Sequence, residues 1–513
     1  MFATWPAIED VGSHYMADAR VHAYPARPVP GDYLQSGYEL WLFGHQLEHG
    51  RAPWLDPYSF QPEVSPRVNF TVWPFGIPYW PLAAAGGAVV GWNLFVLGTI
   101  LAAGLLAFAW LLELELGPGA ALAGGLAFAL APYRVEQSAG HMLGIVAILL
   151  PLALWAFERG LRGSRGWLAL SAAALASIPL SGQVHLALGA VPFFLVYALV
   201  RSRAPAALWA TGAAVAAAVG AGLLVRYVSI VGSVGEGGRS LAEVRVHQVD
   251  WSAFVTRFAP HAKEKFVYLG WVTLVLAAIG LGVVLARRRY WLAGVLAAGV
   301  VVPVLLALGT NLPLYSWLWH AFPPFRYPRV PERLLPIACL CLAALVGLAV
   351  SWSRSRVLLP VLVAALLFFD LRVPIFRPIA ADEGNAAYAA LAGRGPGRLV
   401  ELPVFLPGQH FGSVYLYYDL QARRQRPEGY STVAPVEADR TARRLRPLTC
   451  GDWSVHPREL SRLGVRYVAV HRAMYQGDVP VRGTCAPAAE RGLLAHGFGR
   501  IASAGGVDMF ERR

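Results

Sequence analysis

The sequence predicts a polytopic α-helical membrane protein with a C-terminal α/β domain. Three observations carry that expectation. The chain of 513 residues is 56% hydrophobic and only 15% charged, with a mean hydropathy of +0.47, far from the balance of a water-soluble domain. Its apolar residues are gathered into runs of helix length between about 92 and 371. From about residue 372 the long runs stop and short strand-like segments begin.

Residues 1–91 are read as a first outer loop with interfacial helices. FATWP at the start looks like the tail of a membrane helix whose beginning is absent, so roughly ten or eleven spans are expected. Residues 71–90 are apolar but hold Pro74, Pro78 and Pro81, which argues against an ordinary straight span. An interfacial or partly inserted helix is expected there, with Trp73, Tyr79 and Trp80 at headgroup depth. Residues 92–371 form the transmembrane domain, with apolar runs near 92–113, 119–132, 142–158, 167–181, 184–200, 205–228, 267–286, 290–308, 334–352 and 356–371. Several are short of the ~20 residues that a bilayer core requires. Residues 372–513 form the extracytoplasmic α/β domain, in which RLVELPVFL and GVRYVAVH read as strands.

Arginines set the orientation. Arg159, Arg162 and Arg165 fill one turn, Arg201 and Arg203 another, Arg287, Arg288 and Arg289 a third, and Arg354 and Arg356 a fourth. All four fall on one side if the ten runs cross the bilayer, and that side is the cytoplasm. This placement also accounts for much of the net charge of +13 without invoking nucleic acid. The localisation expected is the bacterial inner membrane, multi-pass, with the C-terminal domain extracytoplasmic. Cys450 and Cys485 lie in that domain and can pair in an oxidising compartment. No phosphate-binding glycine loop or nucleophile elbow is present, which excludes the common soluble nucleotide-dependent and hydrolase classes. No titratable relay lies at mid-membrane depth, as an ion-coupled transporter needs.

Polar chemistry is concentrated instead on the outer loops, above all in VPGDYLQSGYELWLFGHQLEHGR, residues 29–51. Together with FALAPYRVEQSAGH, RSLAEV, FPPFRYPRVPER and LGVRYVAVH, this loop resembles the GT-C superfamily of integral-membrane glycosyltransferases, and more narrowly its YfhO-like bacterial branch. The resemblance implies sugar transfer from a polyprenyl-phosphate-linked donor to a glycan or lipid acceptor of the cell envelope at the outer leaflet. Its partners would be these and membrane lipids, with no nucleic acid. A carboxylate would take the acceptor proton, and cations would hold the departing phosphate. By position, Asp32 would be the base and Glu136 a second acid.

Each assignment has a plainer counterpart. Asp32 and Gln35 have capping-box spacing, so Asp32 can simply cap the helix that Gly50 ends. Glu39 returns to the Asp32 face seven residues on, as a second carboxylate, a sugar ligand or a solvated glutamate. His45, Glu48 and His49 have spacing compatible with a divalent cation, or with an ordinary polar helix end. Arg134 and His141 join Glu136 as ligand candidates, and Arg134 can equally pair with Glu136. Arg326, Arg329 and Arg333 recur every three or four residues in a proline-rich segment expected to be extended. They suit phosphate oxygens or bulk lipid headgroups. Arg239 is a weaker candidate, because RSLAEVR also reads as an amphipathic surface helix. The expectation that unites these residues is one shared cavity at the exoplasmic rim. The alternatives are a lipid-carrier flippase or polysaccharide exporter, and a non-catalytic envelope assembly protein.

Overall fold

The computed structural model describes all residues except 1–3, 6, 19–24, 65–66, 258–266, 354, 356 and 455–456. The turn of Arg354 and Arg356 and the first residues of FATWP therefore lie outside the described residues. The chain divides into two compact units: one chiefly of residues 95–226 and 238–375, the other of 4–94, 227–237 and 376–513.

All ten apolar runs are helical. Six described helices are long and apolar enough to cross a membrane, and Pro118–Ala129, Arg165–Leu180, Trp271–Ala286 and Leu358–Leu371 are shorter apolar helices. This is a multi-pass membrane protein. The run at 71–90 and the run at 92–113 belong to one element, α2 (Gly76–Glu113), which breaks at Gly87 (φ 79°). Pro78 sits in its first turn, where the lost N–H has no helical partner to lose; Pro81 lies inside the helix without ending it, and the break falls at Gly87, whose positive φ suits glycine.

The first unit is built around the helix Leu335–Val350, every residue of which is buried. Small residues let its neighbours approach to backbone contact. A Cβ at Gly280 would collide with the Leu345 carbonyl, and one at Gly124 would collide with the Ala343 carbonyl. The basic turns meet carboxylates at one end of this unit. Arg159 and Arg162 both pair with Glu113, Arg201 pairs with Glu158 at 2.9 Å, Arg289 pairs with Glu115, and Arg287 donates to the Ser351 hydroxyl at 3.0 Å. The arginine turns thus lock helix ends together, some of them far apart in the chain.

In the second unit, α1 (Asp32–Glu48) packs against the first part of α2, Gly76 lying on the Phe43 ring and Gly44 on the Trp80 ring. Strand β1 (His14–Ala17) pairs antiparallel with a strand from the other end of the chain, Arg377–Ala380. Asn93 tethers it, accepting from the Met16 N–H at 2.8 Å and donating to the carbonyls of Val11 and His14. Two further short strands, β2 (Leu55–Asp56) and β3 (Arg67–Val68), pair with each other, and the Arg377–Ala380 strand is β4. The C-terminal sheet comprises β5 (Arg398–Leu402), β6 (Val465–His471), β7 (Phe498–Ala504) and β8 (Val507–Arg512), in the order β5-β6-β8-β7. β5 and β6 are parallel and the other pairs antiparallel. The segments RLVELPVFL and GVRYVAVH supply β5 and β6, the former ending as a strand at Pro403, which has no N–H to continue the ladder. Cys450 and Cys485 form a disulfide.

The close approach at Gly280 makes a test. Gly280→Leu should destabilise the purified protein by roughly 1–3 kcal/mol, the usual cost of overpacking, and should lower the thermal midpoint and the monodisperse yield. Gly282→Leu, at a position with nothing within 4 Å of its Cβ, should change the midpoint little.

Candidate functional site

Asp32 is the first residue of α1, and the N-cap is Gly31. The capping reading therefore puts the cap one residue too late. A carboxylate in the first turn is still stabilised by the helix N-terminus. The side chain, partly exposed, accepts a 2.6 Å hydrogen bond from the Tyr430 hydroxyl. The Gly31 N–H donates to the Ser413 hydroxyl at 3.1 Å, which fixes the start of the helix against the same C-terminal region.

Glu39 returns to the Asp32 side of α1 two turns later, about 10 Å along the axis. It is not a solvated glutamate. Only 4% of it is exposed, and it accepts from Asn69 Nδ2 at 2.9 Å and Gln35 Nε2 at 3.1 Å. Burial raises its pKa, against the opposing pull of Arg67, Asn69 and Gln35. Arg67 in turn donates to the Ser431 hydroxyl at 3.0 Å and lies over the Phe60 ring. One face of α1 thus gathers Asp32 and Glu39 with Arg67, Asn69, Tyr430 and Ser431, four residues that the sequence did not single out.

What brings Tyr430 and Ser431 there is the segment RPEGYS, residues 426–431. Its backbone bonds to residues 58–61: the Arg426 N–H to the Tyr58 carbonyl, the Gln61 N–H to the Arg426 carbonyl, and the Phe60 N–H to the Glu428 carbonyl. Arg426 is fully buried and pairs with Glu401 at 3.1 Å and Asp419 at 2.5 Å. Glu401 also meets His471 Nε2 at 2.7 Å and the Tyr388 hydroxyl at 2.8 Å. Breaking a buried guanidinium–carboxylate pair leaves an uncompensated charge and is costly, so this group anchors the segment that presents Tyr430. Glu428, between them, accepts from the Glu401 N–H at 3.3 Å. Burial and the neighbouring Glu401 carboxylate push its pKa up to about 8.

His45, Glu48 and His49 do converge, their ligand atoms lying within 4.8 Å of one another. Each already has protein partners: His45 Nε2 meets the Tyr58 hydroxyl at 2.9 Å, Glu48 accepts from Trp80 Nε1 at 2.7 Å, and His49 Nδ1 bonds the His45 carbonyl. Arg423 stands 3.5 Å from His45 Nδ1. Burial and this guanidinium lower the His45 pKa to about 4, so the imidazole is a neutral donor, but the same positive charge opposes a dication. The donor set fits a divalent cation poorly.

In the first unit the arginine candidates separate into two kinds. Arg134 is fully buried, and its guanidinium donates to the carbonyls of Ala129, Phe128 and Gly144 at 2.6, 3.1 and 3.5 Å. The expectation that it faces a ligand is not met; it satisfies orphan carbonyls at the end of the Pro118–Ala129 helix. Arg326 does the same for the helix Pro313–Ala321, donating to the carbonyls of Trp319 and His320 at 3.1 and 3.4 Å. The proline-rich segment is not extended but folds into two 3₁₀ turns, Pro323–Arg326 and Pro331–Leu334. Arg329, Arg333, Arg239 and His141 instead lie within electrostatic reach of His185, a residue the sequence reading did not nominate. Arg239 also pairs with Glu243 at 3.5 Å, on the flank of a short helix closed by a Ser240–Glu243 capping box. Glu136 is buried at the end of the Pro132–Glu136 helix. His185 opens the helix Val184–Arg201 and Arg201 closes it, so this cationic group sits at the opposite end of the unit from the Glu113, Glu115 and Glu158 pairs.

Glu428 supplies a pH test. Its folded pKa is raised, so the folded state keeps a proton that the unfolded chain releases. Its stabilising contribution is complete below about pH 4.5 and is lost as pH rises through about 8. The thermal midpoint should therefore fall from pH 5 to 9, with a slope of at most about 1.4 kcal/mol per pH unit from this group. Glu428→Gln should flatten that fall, as read by differential scanning fluorimetry; an unchanged slope would assign the titration elsewhere.

No family model and no curated relative matches the chain. Solved structures do. The arabinofuranosyltransferase AftD from Mycobacteria aligns with a TM-score of 0.58 and 16% identity over 95% of this chain and 38% of its own. A variant of the same enzyme aligns with a TM-score of 0.55 and 15% identity over 99% of this chain and 40% of that one. The apo oligosaccharyltransferase of Archaeoglobus fulgidus is more distant, with a TM-score of 0.47 and 14% identity over 93% and 70%. This chain therefore spans well under half the length of the AftD chains it matches, and it has the fold of the GT-C membrane glycosyltransferases.

Proposed function

We propose that the protein transfers a sugar from a polyprenyl-phosphate-linked donor to a cell-envelope acceptor at the outer leaflet of a bacterial inner membrane. The observation that carries this reading is the Asp32–Tyr430 hydrogen bond at the start of α1, in a chain with the GT-C fold. Asp32 would act as base. The Tyr430 hydroxyl orients the Asp32 carboxylate, which would take the proton of an acceptor hydroxyl as that hydroxyl oxygen bonds to the anomeric carbon. The bond between the anomeric carbon and the phosphate oxygen breaks in the same step, and the electron pair leaves with the lipid phosphate. Arg239, Arg329 and Arg333 would supply positive charge suited to that phosphate, beside the imidazoles of His141 and His185. Glu39 and Glu136 are the further acids that would meet sugar hydroxyls.

The outer location rests on the arginine turns being cytoplasmic, with the cationic group around His185 at the other end of that unit. A disulfide between Cys450 and Cys485 suits an oxidising compartment for the C-terminal region.

The experiment is transfer from a radiolabelled polyprenyl-phosphate sugar in proteoliposomes. Asp32→Asn should lower turnover at least 10³-fold with insertion intact, and Tyr430→Phe about 10- to 100-fold. Arg329→Ala and Arg333→Ala should chiefly raise KM for the lipid donor. Full turnover by Asp32→Asn would remove the base from the scheme.

A further inference from the structure

On the opposite side of α1 from Asp32 and Glu39, a second feature has no part in the proposed chemistry. At about 100° per residue, Trp41, His45 and Glu48 fall on that opposite side, and they line a cavity of about 340 Å³. Its other wall is one face of α2, where Trp80, Ala83, Ala84, Gly87 and Ala88 follow one another at helical spacing. Tyr417 and Glu383 close it from the C-terminal part of the same unit.

The chemistry of the lining selects its occupant. The chain carries a net charge of +13, yet among the described residues no arginine or lysine lines this cavity and two carboxylates do. The two carboxylates favour an uncharged ring over a phosphate or a uronate, with the Arg423 guanidinium, 3.5 Å from His45 Nδ1, outside the lining. Glu48 holds the Trp80 indole through its 2.7 Å hydrogen bond, and Trp41 is stacked on His45 with ring centroids 4.8 Å apart, so both indoles are held in place. His45 is neutral at physiological pH. Fixed aromatic faces suit the C–H side of a sugar ring, whose positive edge meets the negative ring face, and carboxylates accept from its hydroxyls. Ala83, Ala84, Gly87 and Ala88 leave room on the α2 side for a flat ring. The volume lies within the range of small-ligand sites.

We infer that this cavity binds an uncharged sugar residue, and that the residue belongs to the glycan acceptor; the second clause rests on the transfer reading above. The site lies on the reverse side of the helix whose first residue is the proposed base, so it would hold a part of the acceptor away from the reacting hydroxyl and contribute binding rather than rate.

The test uses the full chain in nanodiscs, with no lipid donor present, and saturation-transfer NMR with a set of methyl pyranosides and furanosides, plus choline chloride. At least one glycoside should give a saturable signal, weakened tenfold or more by Trp80→Ala and by Glu383→Ala. Both positions are exposed, and an unchanged thermal midpoint certifies the fold of each variant. In the transfer assay the same variants should raise KM for the acceptor with kcat retained. Absence of saturable binding by any glycoside, equal binding by both variants, or binding of choline alone would overturn the site. Glycoside binding with an unaltered acceptor KM would overturn the acceptor role. Because the binding measurement contains no donor, its failure leaves the assignment of Asp32 standing, and failure of that assignment leaves glycoside binding standing.

Discussion

A guanidinium with no exposure to water must find acceptors for its N–H groups or the fold around it is destabilised. Arg134 finds carbonyls, and Arg426 finds two buried carboxylates. It joins β5 through Glu401, the end of the Ser413–Tyr418 helix through Asp419, and residues 58–61 through its own backbone. Everything that reaches the start of α1 from the C-terminal region hangs from this one point: Tyr430 lies four residues further on, and Ser431 five. Glu401 extends the same network to His471 and Tyr388, so the sheet and the polar segment ahead of α2 are held by a single set of buried charges rather than by hydrocarbon packing alone.

The helix this network addresses has two chemically distinct sides. One carries Asp32 and Glu39, held by Tyr430, Asn69 and Gln35; the other carries Trp41, His45 and Glu48 against α2. A helix with polar groups all round is unstable unless its faces find partners. Here the partners are contributed by the first ninety residues and by the C-terminal region, both of which belong to one unit.

Charge is sorted in the membrane-embedded unit. Arginines at one end are neutralised by Glu113, Glu115 and Glu158, whereas Arg239, Arg329 and Arg333 gather around His185 at the other end. Arg134 and Arg326 resemble that group in sequence and differ from it in use, because each sits beside a helix C-terminus whose carbonyls have no intrahelical donor. A guanidinium serves either need equally well, and only the local backbone decides which.

Hydropathy and helix length are local properties, so the ten apolar helices, the clustering of arginine turns and the strands at RLVEL and VRYVAVH could be read from the chain alone, as could the GT-C resemblance. The hairpin of β7 and β8 was also within reach, through Gly505 and Gly506 between two alternating segments. The nomination of Asp32 came from a motif, but its partner did not: Tyr430 is 398 residues away, and no pattern of spacing connects them. The burial of Glu39, the diversion of Arg134 and Arg326 to carbonyls, and the cavity behind α1 share that origin. By itself the sequence determined which segments leave water and which residues carry charge, because transfer from water depends on composition over about twenty residues. Tertiary structure alone decided which charges meet, because electrostatics and hydrogen bonds act over a few ångströms of space and are indifferent to distance along the chain.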